Sequence, residues 1–271
     1  MVRKKIKVFK TSSKPLSKSF QALSFARLLP NIATVMALCI GLTSVRFALQ
    51  DRFEEAVIAI LVAAVLDAMD GRLARLLGAS SDFGAELDSL SDFISFGVAP
   101  ALVTYMLSLK VWQGFGWVII LFFAVCMSLR LARFNISNRV VTDKAPPAWA
   151  KQFFTGVPAP AGAMLGLLPL MLFLATGLEI FIQPIVSAMV LILTGILMIS
   201  RLPTFSFKTI QIPPRLVLPT LLLVGLFVAF FMTYPWLTMS VCLGAYVVSF
   251  TYSYKLHNKL KFTSAKEKSV S

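Results

Sequence analysis

Six of the chain's twelve acidic residues, Asp67, Asp70, Asp82, Glu86, Asp88 and Asp92, lie within 26 consecutive positions, DAMDGRLARLLGASSDFGAELDSLSD. On a helix Asp67, Asp70, Gly71 and Ala74 follow i, i+3, i+4, i+7 and share one face. Gly84, Asp88 and Asp92 follow i, i+4, i+8 and share a face on the next helix. Asp82 and Glu86 are each two positions from a member of that row and turn toward water. Four aspartates therefore converge between two helices. Carboxylates at close quarters repel strongly in a low dielectric, so the arrangement favours shared protons or bound cations. Oxygen-only ligands suit a hard divalent ion, Mg²⁺ or Mn²⁺. Two such ions bridged by shared carboxylates suit chemistry at a phosphate.

The residues beside the acids are small. Gly71, Ala74 and Gly84 leave room either for close helix packing or for a ligand against the backbone. Arg75 supplies a fixed cation that reads either as a phosphate contact or as a membrane anchor. The only histidine, His257, sits between Lys255 and Lys259 in a basic tail, so a Ser-His-Asp triad is not expected. Cys39, Cys126 and Cys242 are widely spaced and are expected to be buried free thiols.

The elements that must hold the acids are membrane helices. The chain has 271 residues, 58% hydrophobic and 14% charged, with a mean hydropathy of +0.82. Soluble domains are nearer roughly 45–50% apolar and 25% charged. Eight apolar stretches are long enough to span a bilayer, near 31–49, 55–76, 83–108, 111–134, 155–175, 179–200, 215–233 and 236–254. With the N-terminus cytoplasmic, 23 of the 26 Lys and Arg fall on cytoplasmic segments, leaving only Arg46, Arg52 and Lys110 outside. That bias supports an even number of spans with both termini cytoplasmic. The net charge of +14 then suggests anionic membrane lipid, not nucleic acid, as the partner. No cleavable signal peptide is expected, and residues 16–29 read as an amphipathic surface helix. Gly162-x3-Gly166 reads as a helix-packing face.

The pattern Asp-x2-Asp-Gly-x2-Ala-Arg-x8-Gly-x3-Asp-x3-Asp is filled by Asp67, Asp70, Gly71, Ala74, Arg75, Gly84, Asp88 and Asp92. In this the chain resembles the CDP-alcohol phosphatidyltransferase family. The resemblance implies a six-helix membrane core with a cytoplasm-facing cavity. It implies transfer of a phosphatidyl group from a CDP-linked lipid to an alcohol, with release of CMP. It further implies that Asp67, Asp70, Asp88 and Asp92 are metal ligands and that Asp92 is also the base on the acceptor hydroxyl. Gly71, Ala74, Arg75 and Gly84 would line the nucleotide site. Pro30-Asn31 with Thr34 resembles a further nucleotide-contact motif, although Asn31 also reads as a helix cap. The expected organisation is a basic tail and juxtamembrane helix over 1–30, the catalytic core over 31–200, two added helices over 201–254 and a basic tail over 255–271. The two added helices carry no acids and no readable motif, so they are expected to contribute no chemistry.

Three stretches are similar to the phosphatidylserine synthase branch of the family: SLSDFISFGVAPA after Asp88, LRLARFN over 129–135 and FFTGVPAPAGA over 153–163. They imply CDP-diacylglycerol and L-serine as substrates and a bacterial inner-membrane, homodimeric enzyme with its site facing the cytoplasm. Glycerol phosphate, inositol phosphate and choline are the alternative acceptors. Ser89 and Phe93 depart from the Asp-Pro-x-Ala-Asp-Lys of the glycerol- and inositol-phosphate branches. A guanidinium suits the serine carboxylate, and Arg130 or Arg133 is the candidate for it or for substrate phosphate. Both also read as positive-inside anchors. An ion-coupled transporter is the rival from another class, since intramembrane acids often mark ion paths. However, the acids cluster at one end, and from Pro158 to Tyr254 the only one is Glu179.

Overall fold

The computed structural model describes residues 25–79, 81–139, 153–200, 203–205 and 216–250. Most of the expected surface helix over 16–29, both basic tails and His257 lie outside these residues. Within them the chain is almost entirely helical. Helix α1 covers Phe25–Leu49 and α2 covers Phe53–Leu76. Next come α3, Asp82–Asp92, a π-helical segment, Phe93–Val98, and α4, Ala99–Leu107, as one continuous rod. Helix α5 covers Gly114–Arg139, α6 Ala159–Gly166, α7 Leu168–Thr176, α8 Pro184–Ile199, α9 Val217–Thr233 and α10 Pro235–Phe250.

Helices α1 and α2 form an antiparallel hairpin. Its tight turn holds Asp51 at φ 58° and an Arg52–Glu55 ion pair of 2.9 Å. Ser91 and Ser95, from the third rod, donate to the carbonyls of Thr34 and Ala37 on α1 at 3.2 and 3.4 Å. Gly41 permits this close approach, because a Cβ there would lie 2.4 Å from Ser95 Oγ. The π segment has a local cause. Pro100 has no N–H for the carbonyl of Phe96 and its ring crowds that carbonyl, so the coil widens one turn earlier. The segment begins immediately after Asp92.

The apolar core lies between α1, α2, the α3–α4 rod, α5, α6, α7 and α8, with Phe96, Phe123, Ile60, Met127, Leu170 and Met198 fully buried. Gly162 and Gly166 face α8 and α5 as a packing surface: a Cβ on Gly162 would lie 2.6 Å from Met198 Sδ, and one on Gly166 3.3 Å from Phe123 Cζ.

Among the described residues three helices are long and apolar enough to cross a membrane: Leu28–Leu49, Asp82–Leu107 and Gly114–Ser137. Helices α6 and α7 add a fourth only if taken as one span bent by 49°. The stretch read as a single span over 155–175 is thus broken. Leu168 and Pro169 open α7, and Pro169 has no N–H with which to continue the α6 ladder. Helices α8, α9 and α10 are shorter. Helix α2 has 24 residues, but its last turns carry four charged residues, Asp67, Asp70, Arg72 and Arg75. Phe153–Thr155 and Pro203–Phe205 pair as two short antiparallel strands. Of the cysteines, Cys126 is buried, whereas Cys39 and Cys242 are exposed on outward faces of α1 and α10.

Candidate active site

The last turns of α2 and the first turns of α3 meet α1 at one end of the bundle. Asp67 and Asp70 come from α2 and Asp88 from α3. One carboxylate oxygen from each lies within 4.8 Å of the other two. Two unit charges at that spacing repel by roughly 3 kcal/mol at an effective dielectric of 20. Three carboxylates held together in this way fit a divalent cation, and their all-oxygen chemistry fits a hard one. Asp92 lies one turn beyond Asp88, with its carboxylate against that of Asp67. Its Oδ1 is buried and has no hydrogen-bond partner. A buried charged oxygen without a partner is costly, so this atom also fits a site that is completed by a ligand.

Asp70 is buried, and the Thr34 hydroxyl of α1 donates to its Oδ2. Above these groups opens a cavity of about 210 Å³. Its lining includes Asn31, Thr34, Asp70, Gly71, Gly84 and Asp88. Ala74 also lines it, whereas Arg75 is exposed beyond the lining. Asn31 lies inside α1 and not at its start, so it is not a cap. The three small residues play different parts. A Cβ on Gly71 would meet nothing within 4 Å, so that glycine holds open space. A Cβ on Gly84 would lie 3.0 Å from Asn31 Oδ1 and 3.1 Å from Ser81 Oγ, so that glycine allows close packing. Asp82 and Glu86 are exposed, as their helical phase predicts.

Sequence reasoning missed Ser81. Its side chain caps α3 by accepting from Gly84 N at 3.0 Å, and it lines the cavity. The signal was available, since a serine directly before an acidic first-turn residue, here Asp82, is a helix-start signature.

The two arginines on α5 separate. Arg133 donates to the carbonyls of Ile199, Ser200 and Met198 at 2.7, 3.3 and 3.4 Å. These are the last carbonyls of α8 and the residue after it, which a cation stabilises. Gly156, at φ 80°, sits against the same carbonyls, because a Cβ would lie 3.0 Å from Ser200 O. Arg130, one turn earlier, donates through Nε to Val157 O. Its guanidinium lies in the electrostatic field of Asp92 and Asp67. Further along α5, Asn135 Nδ2 donates to Ser89 Oγ at 2.8 Å and ties that helix to α3.

The family model for CDP-alcohol phosphatidyltransferase matches residues 27–200, which include the whole of this site. The chain belongs to the CDP-alcohol phosphatidyltransferase family. A second model, CDP-alcohol phosphatidyltransferase 2, matches residues 215–250, the last two helices. Family relatives include the CDP-diacylglycerol–serine O-phosphatidyltransferase of Mycobacterium leprae, 39% identical over 86% of this chain and 76% of that protein. The enzyme of the same name from Mycobacterium tuberculosis is 40% identical over 82% of this chain and 76% of its own length. That from Helicobacter pylori is 34% identical over 82% and 88%.

Proposed function

We propose that this chain transfers the phosphatidyl group of CDP-diacylglycerol to the hydroxyl of L-serine, giving phosphatidylserine and CMP. One observation carries the reading: Asp67, Asp70 and Asp88 converge within 4.8 Å beside the buried, unpartnered Asp92 Oδ1. The relatives named for serine transfer support the choice of acceptor.

Asp67, Asp70, Asp88 and Asp92 would hold divalent cations, Mg²⁺ or Mn²⁺, two on the donor count. When bound, such ions neutralise the diphosphate and stabilise the charge developing on the leaving CMP. The chain's own residues do the rest. Asn31, Thr34, Gly71, Ala74 and Gly84 shape the nucleotide cavity, and Arg75 at its rim offers a cation to substrate phosphate. Asp92 takes the proton of the serine hydroxyl, which is a poor nucleophile while protonated. The serine oxygen forms a bond to the lipid-linked phosphorus, and the bond from that phosphorus to the CMP oxygen breaks. Arg130 meets the serine carboxylate, since its guanidinium lies in the electrostatic field of Asp92 and Asp67. Arg133, engaged by α8, is assigned to the fold.

The chain is further assigned to a bacterial inner membrane, with eight spans, both termini and the site cytoplasmic, and a homodimeric assembly. Anionic lipid would meet its basic ends. The charge bias of 23 in 26 Lys and Arg supports this orientation.

The test supplies purified protein with CDP-diacylglycerol, Mn²⁺ or Mg²⁺, and a panel of alcohols. CMP release with serine alone is the expected outcome. Release driven by glycerol phosphate, inositol phosphate or choline instead would overturn the acceptor. In the same assay Asp92→Asn should lose turnover while retaining CDP-lipid binding; turnover in that variant would refute its role as base.

A further inference from the structure

Helix α1 carries no acid, yet both acid-bearing helices are bonded to one of its residues. Thr34 is buried, as are Asp70 and Ser91. The Thr34 hydroxyl donates to Asp70 Oδ2 on α2. The Thr34 carbonyl accepts from Ser91 Oγ on α3 at 3.2 Å. A single residue of α1 thus holds α2 through its side chain and α3 through its main chain.

Ser91 stands three positions after Asp88 and one before Asp92, within the same helix. At about 100° per residue it lies roughly 60° round the axis from Asp88 and about 100° from Asp92. It therefore reaches α1 while the two carboxylates face α2, and its bond opposes rotation of α3 about its own axis. Side-chain tips ride about 5–6 Å from a helix axis, so a turn of about 10° moves them about 1 Å. Metal ligands must fall within about 0.2 Å of their proper distances, so such a turn would misplace both acids. The acceptor is well suited to this task. A carbonyl inside a helix cannot swing as a side chain can, and its second lone pair is free for Ser91 while the first stays in the helix ladder. Ser95 repeats the contact one turn on, with Ala37 O at 3.4 Å. It belongs, however, to the wider π segment Phe93–Val98, beyond the acids.

We propose that Ser91 is a positioning residue: its bond to the Thr34 carbonyl sets the rotation of α3, and so the fit of Asp88 and Asp92 to a cation shared with Asp67 and Asp70. The proposal rests on the reading of these four acids as a metal site.

The experiment uses the full chain in lipid nanodiscs with Mn²⁺ alone and neither substrate. Mn²⁺ binding is followed by electron paramagnetic resonance well below the unfolding midpoints, and thermal unfolding is measured in chelator. The proteins are wild type, Ser91→Ala, Ser95→Ala and Asp88→Asn. Ser91→Ala orphans no buried acceptor, so its midpoint in chelator should match that of Ser95→Ala. Its apparent Kd for Mn²⁺ should rise about tenfold, the scale for groups that orient metal ligands. Ser95→Ala should stay within about twofold of wild type. An unchanged Kd in Ser91→Ala overturns the proposal, whatever its midpoint, and assigns the serine to the fold alone. An equal rise in Ser95→Ala overturns it too, since any loosening of α1 from the rod would then weaken binding. Asp88→Asn separates this failure from that of the underlying reading. If wild type binds no Mn²⁺, or Asp88→Asn binds it equally well, the metal site itself falls first.

Discussion

The Thr34 hydroxyl of α1 is bonded to Asp70 Oδ2 of α2, and it also lies 3.0 Å from the carbonyl of Pro30. A hydroxyl has one proton, and the charged acceptor makes the stronger bond. Thr34 therefore orients the most buried of the three clustered carboxylates from a helix that supplies no acid itself. Hydrogen bonds of this kind around metal ligands commonly govern affinity as much as the ligands do.

Thr34→Val keeps the shape and removes the proton. The Mn²⁺ concentration for half-maximal activity should rise about tenfold or more. Thr34→Ser should restore it. Titration of CMP release against Mn²⁺ checks this, and an unchanged midpoint for Thr34→Val would remove Thr34 from the metal site.

The clustered carboxylates predict opposite effects on stability and on activity. Without metal, Asp88→Asn removes a like charge from a group within 4.8 Å of two others. Its unfolding midpoint in chelator should equal or exceed that of the wild type. A ligand that binds only the folded state stabilises by about 2.7 kcal/mol at a hundredfold excess over Kd. Wild type should therefore gain stability on addition of Mn²⁺, and Asp88→Asn should not. Activity of the variant should fall by about two orders of magnitude or more, as for loss of a group that acts in the transition state. Thermal unfolding with and without chelator measures the first effect and CMP release the second.

Gly71 and Gly84 are equivalent in the motif but not in space. Gly84→Ala must displace Asn31 Oδ1 or Ser81 Oγ, and overpacking of this kind costs about 1–3 kcal/mol. Gly71→Ala meets nothing within 4 Å. The unliganded protein should tolerate it, whereas the KM for CDP-diacylglycerol should rise, because the methyl group occupies cavity space. A lowered unfolding midpoint for Gly84→Ala alone, with raised lipid KM for Gly71→Ala, is the expected pair of results. A destabilised Gly71→Ala would count against open space at that position.

The facing of Asp67, Asp70, Asp88 and Asp92 was legible because helical phase is local: three or four residues along the chain decide which side a group occupies. The exposure of Asp82 and Glu86 followed from the same rule. What could not be read depended on distant partners. The two strands pair residues some 50 positions apart, and the break at Leu168–Pro169 looks in sequence like ordinary apolar chain. Cys39 and Cys242 were expected to be buried because they are apolar and sit in apolar stretches. In a membrane helix that rule gives no direction, since the outward face is apolar too.

Arg130 and Arg133 show the same limit within one helix. At i and i+3 they share a face, and sequence gave no basis for choosing between them. The choice is made by α8, whose terminal carbonyls at Met198, Ile199 and Ser200 engage Arg133. Arg133→Gln should therefore lower stability by about 1.5–3 kcal/mol, the range for hydrogen bonds to a charged group. The loss should appear first around the paired strands Phe153–Thr155 and Pro203–Phe205 and the end of α8, as faster amide exchange there. Serine KM should stay within about twofold of wild type, in contrast to Arg130→Lys. The physical reason is that both terminal nitrogens of Arg133 are engaged by backbone oxygens that the reaction does not change. An Arg133→Gln protein of normal stability with a raised serine KM would show instead that this guanidinium leaves α8 to meet the substrate.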